Sequence, residues 1–154
     1  MRRIGMAGAI AGIVVAAIIA VSGSAVAKEK TIKELMAENF AGMQNILVGL
    51  VTSRYETLPA SIEIIRDHAD QLPDMLPDNA KDNKERFLAY AYDLKTHADY
   101  LKEMVELLIE HDAEQMKTGQ LSTDVLRDSA AAHYSGMVQM CVTCHNRFRQ
   151  RVVK

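Results

Sequence analysis

Cysteine occurs twice in the 154 residues and proline three times. The prolines, at 59, 73 and 77, fall inside one short stretch, so the long runs on either side contain no obligatory helix breaker. After residue 27, glycine appears only at 42, 49, 119 and 136. No Asn-Gly or Asp-Gly pair marks a tight hairpin, and no stretch sustains the period-two alternation of a half-buried strand. The chain therefore reads as all-α. Basic residues are in short supply: 18 Lys and Arg stand against 20 Asp and Glu. Phosphate backbones need a basic stripe, so nucleic acid is excluded as a partner. No nucleophile–base pair, carboxylate cluster or phosphate loop points to a conventional enzyme.

What is present begins with a targeting pattern. Arg2 and Arg3 precede an uncharged run from Ile4 to Val21, and Ser22-Gly23-Ser24-Ala25-Val26-Ala27 follows. A basic start, an apolar middle and an A-x-A exit describe a secretory signal peptide over residues 1–27, cut after Ala27 and delivering the chain to the periplasm. The uncharged run just reaches spanning length, so an uncleaved segment would be a membrane anchor and the one route to membrane contact. Glycines interrupt its first half, which favours cleavage. Residues 28–154 then form one domain, long enough for one core and too short for two. Cleavage removes only two arginines, leaving 16 basic against 20 acidic residues and a formal charge of −4. A mildly acidic exported domain suits a basic patch on a protein partner. Export also bears on the cysteines, since an oxidising compartment closes a free dithiol unless something else consumes it.

Four amphipathic helices are predicted. Thr31 can cap the first, with Glu34 completing a capping box, and the helix runs to Val51. Its apolar stripe includes Ile32, Leu35, Met36, Met43, Ile46, Leu47, Leu50 and Val51. Pro59 suits the first turn of a second helix ending near Gln71, with Ile62, Ile65, Ala69 and Leu72 inward. L-P-D-M-L-P-D-N then makes the longest connection. The third helix spans about Lys84 to Lys117 on a stripe from Phe87 to Ile109, and Gly119 sits where a C-cap glycine would. Ser122 or Thr123 starts the fourth, which turns Val125, Leu126, Ala130, Met137, Met140, Cys141, Cys144, His145 and Phe148 to one side. Four such helices with short connections describe an antiparallel up-down-up-down four-helix bundle, an architecture that holds cofactors between facing helices.

Both cysteines lie in M-C-V-T-C-H-N-R-F-R-Q, residues 140–150. C-x-x-C-H is the attachment pattern of a c-type haem. On a helix Cys141, Cys144 and His145 stand at i, i+3 and i+4 and project to one side within one turn. Two thioethers can then hold a porphyrin edge while the imidazole reaches the iron, with Met137, Met140 and Phe148 as apolar walls. A redox dithiol would need a βαβ unit beside it, and a structural zinc site four ligands in close pairs, which His68, His97, His111 and His133 do not supply in sequence. A disulfide three residues long would leave His145 without a role.

With its only C-x-x-C-H near the C-terminus, followed by Phe and Arg in C-V-T-C-H-N-R-F-R, the whole chain after the signal segment resembles the cytochrome c-prime family, the class II c-type cytochromes. The resemblance implies one covalent haem c, with His145 as proximal iron ligand and the first helix facing the sixth position. High-spin members leave that position open and bind nitric oxide or carbon monoxide, whereas low-spin members fill it with a methionine and transfer electrons. L-M-A-E-N resembles the low-spin branch, and Met36 is the matching ligand. Met43, seven residues on, lies about 10 Å further along the helix and cannot reach the same iron. Sliding the segment onto high-spin relatives instead puts Lys33 at the distal position. The low-spin reading implies electron transfer with redox partner proteins, and family members commonly form homodimers through the first two helices. Arg149 matches a basic position beside the haem, where a guanidinium pairs with a propionate or shields the His145 edge. His68, His97 and His111, set among charged residues, read as solvated, and His133 as a polar residue bordering the pocket.

Overall fold

The computed structural model describes residues 30–118 and 123–148, and within them the chain is all-helical, with no strand. The expected signal segment, Gly119, Ser122 and Arg149 lie outside the described residues. The long helices are α1 (Ile32–Val51), α2 (Pro59–Gln71), α3 (Lys84–Thr118) and α4 (Asp124–Phe148). Each pairs with the next in chain order, and α4 returns to α1, so the four share one interior. Among the described residues no helix is long and apolar enough to cross a membrane.

Local chemistry accounts for the boundaries. At the start of α1 the Glu34 N–H donates to Thr31 Oγ1 at 3.3 Å, and the Thr31 N–H donates to Glu34 Oε2 at 2.8 Å. That closes the capping box, and the Thr31 backbone bond holds the Glu34 carboxyl below its ordinary pKa. Ser53 leaves α1 with φ 54°, in the left-handed region. A 3-10 turn at Tyr55–Thr57 leads to Pro59 at the head of α2. The proline-rich connection forms two more 3-10 segments, Leu72–Met75 and Asp78–Asn83. Its Asn79 side-chain amide donates to the Phe148 carbonyl, clipping this connection to the end of α4.

The expected stripe on α1 is buried or half-buried at Ile32, Leu35, Met36, Met43, Ile46 and Leu50, and departs from expectation at one edge. Leu47 and Val51 are 46% and 76% exposed, while Asn39, Gly42 and Gly49 are buried. The cause is close packing on the next element. A Cβ on Gly42 would lie 3.3 Å from Ile65 Cδ1, and one on Gly49 would strike the Leu58 side chain. Small residues let α1 approach there, while Leu35, Met43 and Ile46 stay buried and Phe40, Leu47, Val48 and Val51 face outward. Val125, expected inward, is 78% exposed, because Leu126, about 100° around the helix, takes the half-buried place.

The core divides in two. The larger cluster runs from Met43 and Ile46 through Ile62, Leu101 and Val105 to Met137. The smaller gathers Leu72, Ala80, Phe87, Ala91 and Phe148, with Met36, Tyr90 and Cys144 packed against it. Phe148 meets Phe87 edge-on, ring centroids 5.5 Å apart.

Candidate functional site

Between the two clusters lies a narrow cleft with only about 30 Å³ of open room. From α4 come Met140, Cys141, Cys144 and His145; from α1, Met36 and Asn39; from α3 and the head of the proline-rich connection, apolar side chains including Leu72, Phe87 and Leu94. The structure thus brings together four residues singled out in the sequence, Met36 with Cys141, Cys144 and His145, across 105 positions of chain. Met43 does not line the cleft; it packs in the larger cluster, and its carbonyl accepts the Tyr134 hydroxyl at 3.3 Å. Lys33 is exposed and away from the lining. Two expected walls are elsewhere: Met137 is fully buried in the larger cluster, and Phe148 packs on Phe87 behind the lining.

The thiols are free and half-buried. Burial raises the Cys141 pKa, and burial followed by the neighbouring Cys141 pushes Cys144 up to about 11. A catalytic dithiol works as a thiolate and needs the opposite shift, so this pair is not set up for disulfide exchange. No group of three or more His, Cys, Asp or Glu side chains among the described residues is arranged as a cage for a bare metal ion. His145 stands exposed at the mouth, held on α4 one residue beyond Cys144.

The cleft suits a large apolar cofactor by chemistry more than by open space. Its walls stand close, and a flat ring would have to part Met36 from the α4 side. Met36 and Met140 are unbranched and adapt readily to such a change. Beside the cleft, and sharing Tyr90 with it, an open groove carries Asn79, Asn83, Asn146 and Arg147.

Three histidines are not where the sequence suggested. His68 is 4% exposed, its Nδ1 2.7 Å from Asn39 Oδ1 and its Nε2 3.1 Å from Glu38 Oε2. Burial lowers its pKa, with Glu38 opposing. His97 is half-buried, with its Nδ1 3.3 Å from that of His133, which stacks on Tyr100 with ring centroids 5.1 Å apart. This pair joins α3 to α4 and lies outside the cleft lining. Burial, then His97, lowers the His133 pKa. A Cβ on Gly136 would come within 2.5 Å of the His97 ring, so glycine makes room for the pair. His111 is half-buried, and its Nδ1 has no hydrogen-bond partner. Charged neighbours in sequence misled in each case, because adjacent residues on a helix point about 100° apart.

Sequence reasoning missed Asn39, which is 4% exposed and lines the cleft. Its one available signal was a polar amide in the otherwise apolar L-V-type stripe of α1, three residues after Met36. No family model, no curated protein and no solved structure matches this chain.

Proposed function

We propose that the chain is an exported, periplasmic monohaem c-type cytochrome of the c-prime type, an antiparallel up-down-up-down bundle that carries electrons between protein partners. The observation that carries this reading is the cleft, which gathers both thiols and the imidazole of C-x-x-C-H with a thioether from a helix more than a hundred residues away. Cys141 and Cys144 would hold the porphyrin edge through thioether bonds, with His145 as proximal and Met36 as distal iron ligand. The bound haem supplies a one-electron iron couple whose potential Met/His ligation raises. The apolar cleft side chains would limit water on the Met36 side, and α1 and α4 would hold Met36 and His145 in place. A methionine in the sixth position leaves no site for substrate, which favours electron transfer over catalysis.

Partner surfaces follow from the same reading. The acidic balance suits a redox partner with a basic patch. The outer side of α1 carries Phe40, Leu47, Val48 and Val51, all exposed, in a stretch with no charged residue from Asn39 to Ser53. A second copy of the chain covering this face is the dimer implied by the family resemblance.

The test is the absorption spectrum of the exported protein, matured with haem-attachment machinery, with and without carbon monoxide. A covalent haem by pyridine haemochrome assay, a sharp low-spin α band on reduction and slow, weak carbon monoxide binding are expected. A reduced protein without that band and with ready carbon monoxide binding would replace this version with a five-coordinate, gas-binding one. Absence of covalent haem would sink both.

A further inference from the structure

Outside the cleft, two histidines from different helices meet ring to ring. His97 on α3 and His133 on α4 place their Nδ1 atoms 3.3 Å apart with ring centroids 5.6 Å apart, so the two nitrogens point at one another. Neutral imidazoles manage this only when one donates from Nδ1 and the other accepts there. Both rings are half-buried, and Tyr100, stacked on His133, is exposed, so solvent reaches the pair. Room for the His97 ring comes from Gly136, in the middle of α4, where a Cβ would lie 2.5 Å from Cε1. A glycine inside a helix costs about what one hydrogen bond between neutral groups returns, so the bond alone gives little reason for the arrangement. A shared ligand gives a better one. Two imidazole nitrogens on a tetrahedral zinc ion, each at about 2.0–2.1 Å, stand about 3.3–3.4 Å apart, which is the spacing already present.

We propose that His97 and His133 are the two protein ligands of a zinc(II) site that bridges α3 and α4, with two solvent oxygens completing the tetrahedron. Neither residue lines the cleft, so the site is independent of what fills it. Only the aim of the rings has to change. Nδ1 lone pairs that face each other must each turn by about 35° toward a point beside the line joining them, on the solvent side. The ring that donates moves its proton from Nδ1 to Nε2, so both imidazoles bind neutral and no proton is released. The spacing favours zinc over metals that hold ligands at right angles, on which two nitrogens would stand only about 2.9 Å apart. With half the protein ligands of a structural zinc site, about half the logarithm of its affinity is expected, a dissociation constant of about 10 μM.

The experiment titrates the full protein with zinc chloride in a calorimeter at about pH 7.5, where both rings are neutral, in the wild type, His97→Gln, His133→Gln and Gly136→Ala, with thermal melts alongside. The wild type should bind one zinc per chain, and each variant should weaken that binding at least about tenfold. Gly136→Ala does so with both imidazoles present, because its methyl displaces the His97 ring. At about 1 mM zinc the wild-type unfolding equilibrium should shift about 100-fold toward the folded chain, and that of the variants far less. Zinc-edge X-ray absorption of the wild type, which needs no variant to fold, should show nitrogen and oxygen neighbours only. No binding at about 1 mM zinc, an affinity unchanged in His97→Gln and His133→Gln, or sulfur neighbours at about 2.3 Å, which would put the ion on Cys141 and Cys144, would each overturn the proposal.

Discussion

Replacing Met36 with Leu removes a sulfur and almost nothing else. Met36 is half-buried and packs against the smaller core cluster. A volume-conserving swap at a buried site costs less than about 1.5 kcal/mol, and a half-buried site should cost less than about 1 kcal/mol. For a domain of this size that is about 4 °C in melting temperature. If Met36 is only core packing, nothing further should happen. If it is the distal ligand, the variant should lose its low-spin spectrum, become five-coordinate and bind carbon monoxide. The gain in affinity measures how strongly the thioether had competed: a 100-fold rise corresponds to about 2.8 kcal/mol of internal ligation. The assay is carbon monoxide titration of the reduced, haem-loaded variant, with a thermal melt to confirm folding. A folded Met36→Leu protein that keeps the low-spin spectrum and the wild-type carbon monoxide affinity would refute the role assigned to Met36.

Other outcomes follow from the same geometry. Gly49→Ala should lower stability by about 1 kcal/mol in urea unfolding, because crowding against the fully buried Leu58 outweighs the gain in helix propensity; a more stable variant would refute the close approach. His68 has a folded pKa below its unfolded value of about 6.5, so its contribution is fully present above that pH. Stability should fall on acidification from about pH 6.5 down to the folded pKa, since the unfolded chain binds the proton more readily, and His68→Gln should flatten that part of the stability profile. Cys144→Ser should leave a haem held by one thioether, seen as a red-shifted pyridine haemochrome band; an unshifted band would mean Cys144 forms no bond. Phe40→Glu with Val48→Glu should turn a dimer into a monomer in sedimentation without changing the haem spectrum, and an unchanged oligomeric state would remove α1 as the interface.

Helix content and boundaries were legible because they depend on neighbours in sequence. Thr31 and Glu34 are three residues apart, Pro59 can sit only at a helix head, and their signals survive without any knowledge of the fold. The membership of the cleft was legible for a second reason: Cys141, Cys144 and His145 are grouped by helical spacing, and Met36 by a short motif. The exposure of Leu47 and Val51 was hidden because α1 is apolar on more than one side, and the edge of the buried side depends on where glycine lets α2 approach. The Asn39–His68 contact joins residues 29 apart and the His97–His133 contact residues 36 apart. Nothing in either local pattern distinguishes a histidine buried by another helix from one facing water.

The clip from Asn79 to the Phe148 carbonyl has a consequence for access. It ties the proline-rich connection to the last turn of α4, and behind it the smaller cluster contains only five buried apolar residues. A unit with so little buried surface opens at lower free energy than the rest of the molecule. Opening there frees the last turn of α4, which carries Cys144 and His145, while the larger cluster stays packed. On the proposed reading, an attaching catalyst would reach the half-buried Cys144 by opening this end alone, whereas Cys141, packed on the larger cluster, stays with the part that keeps the chain folded.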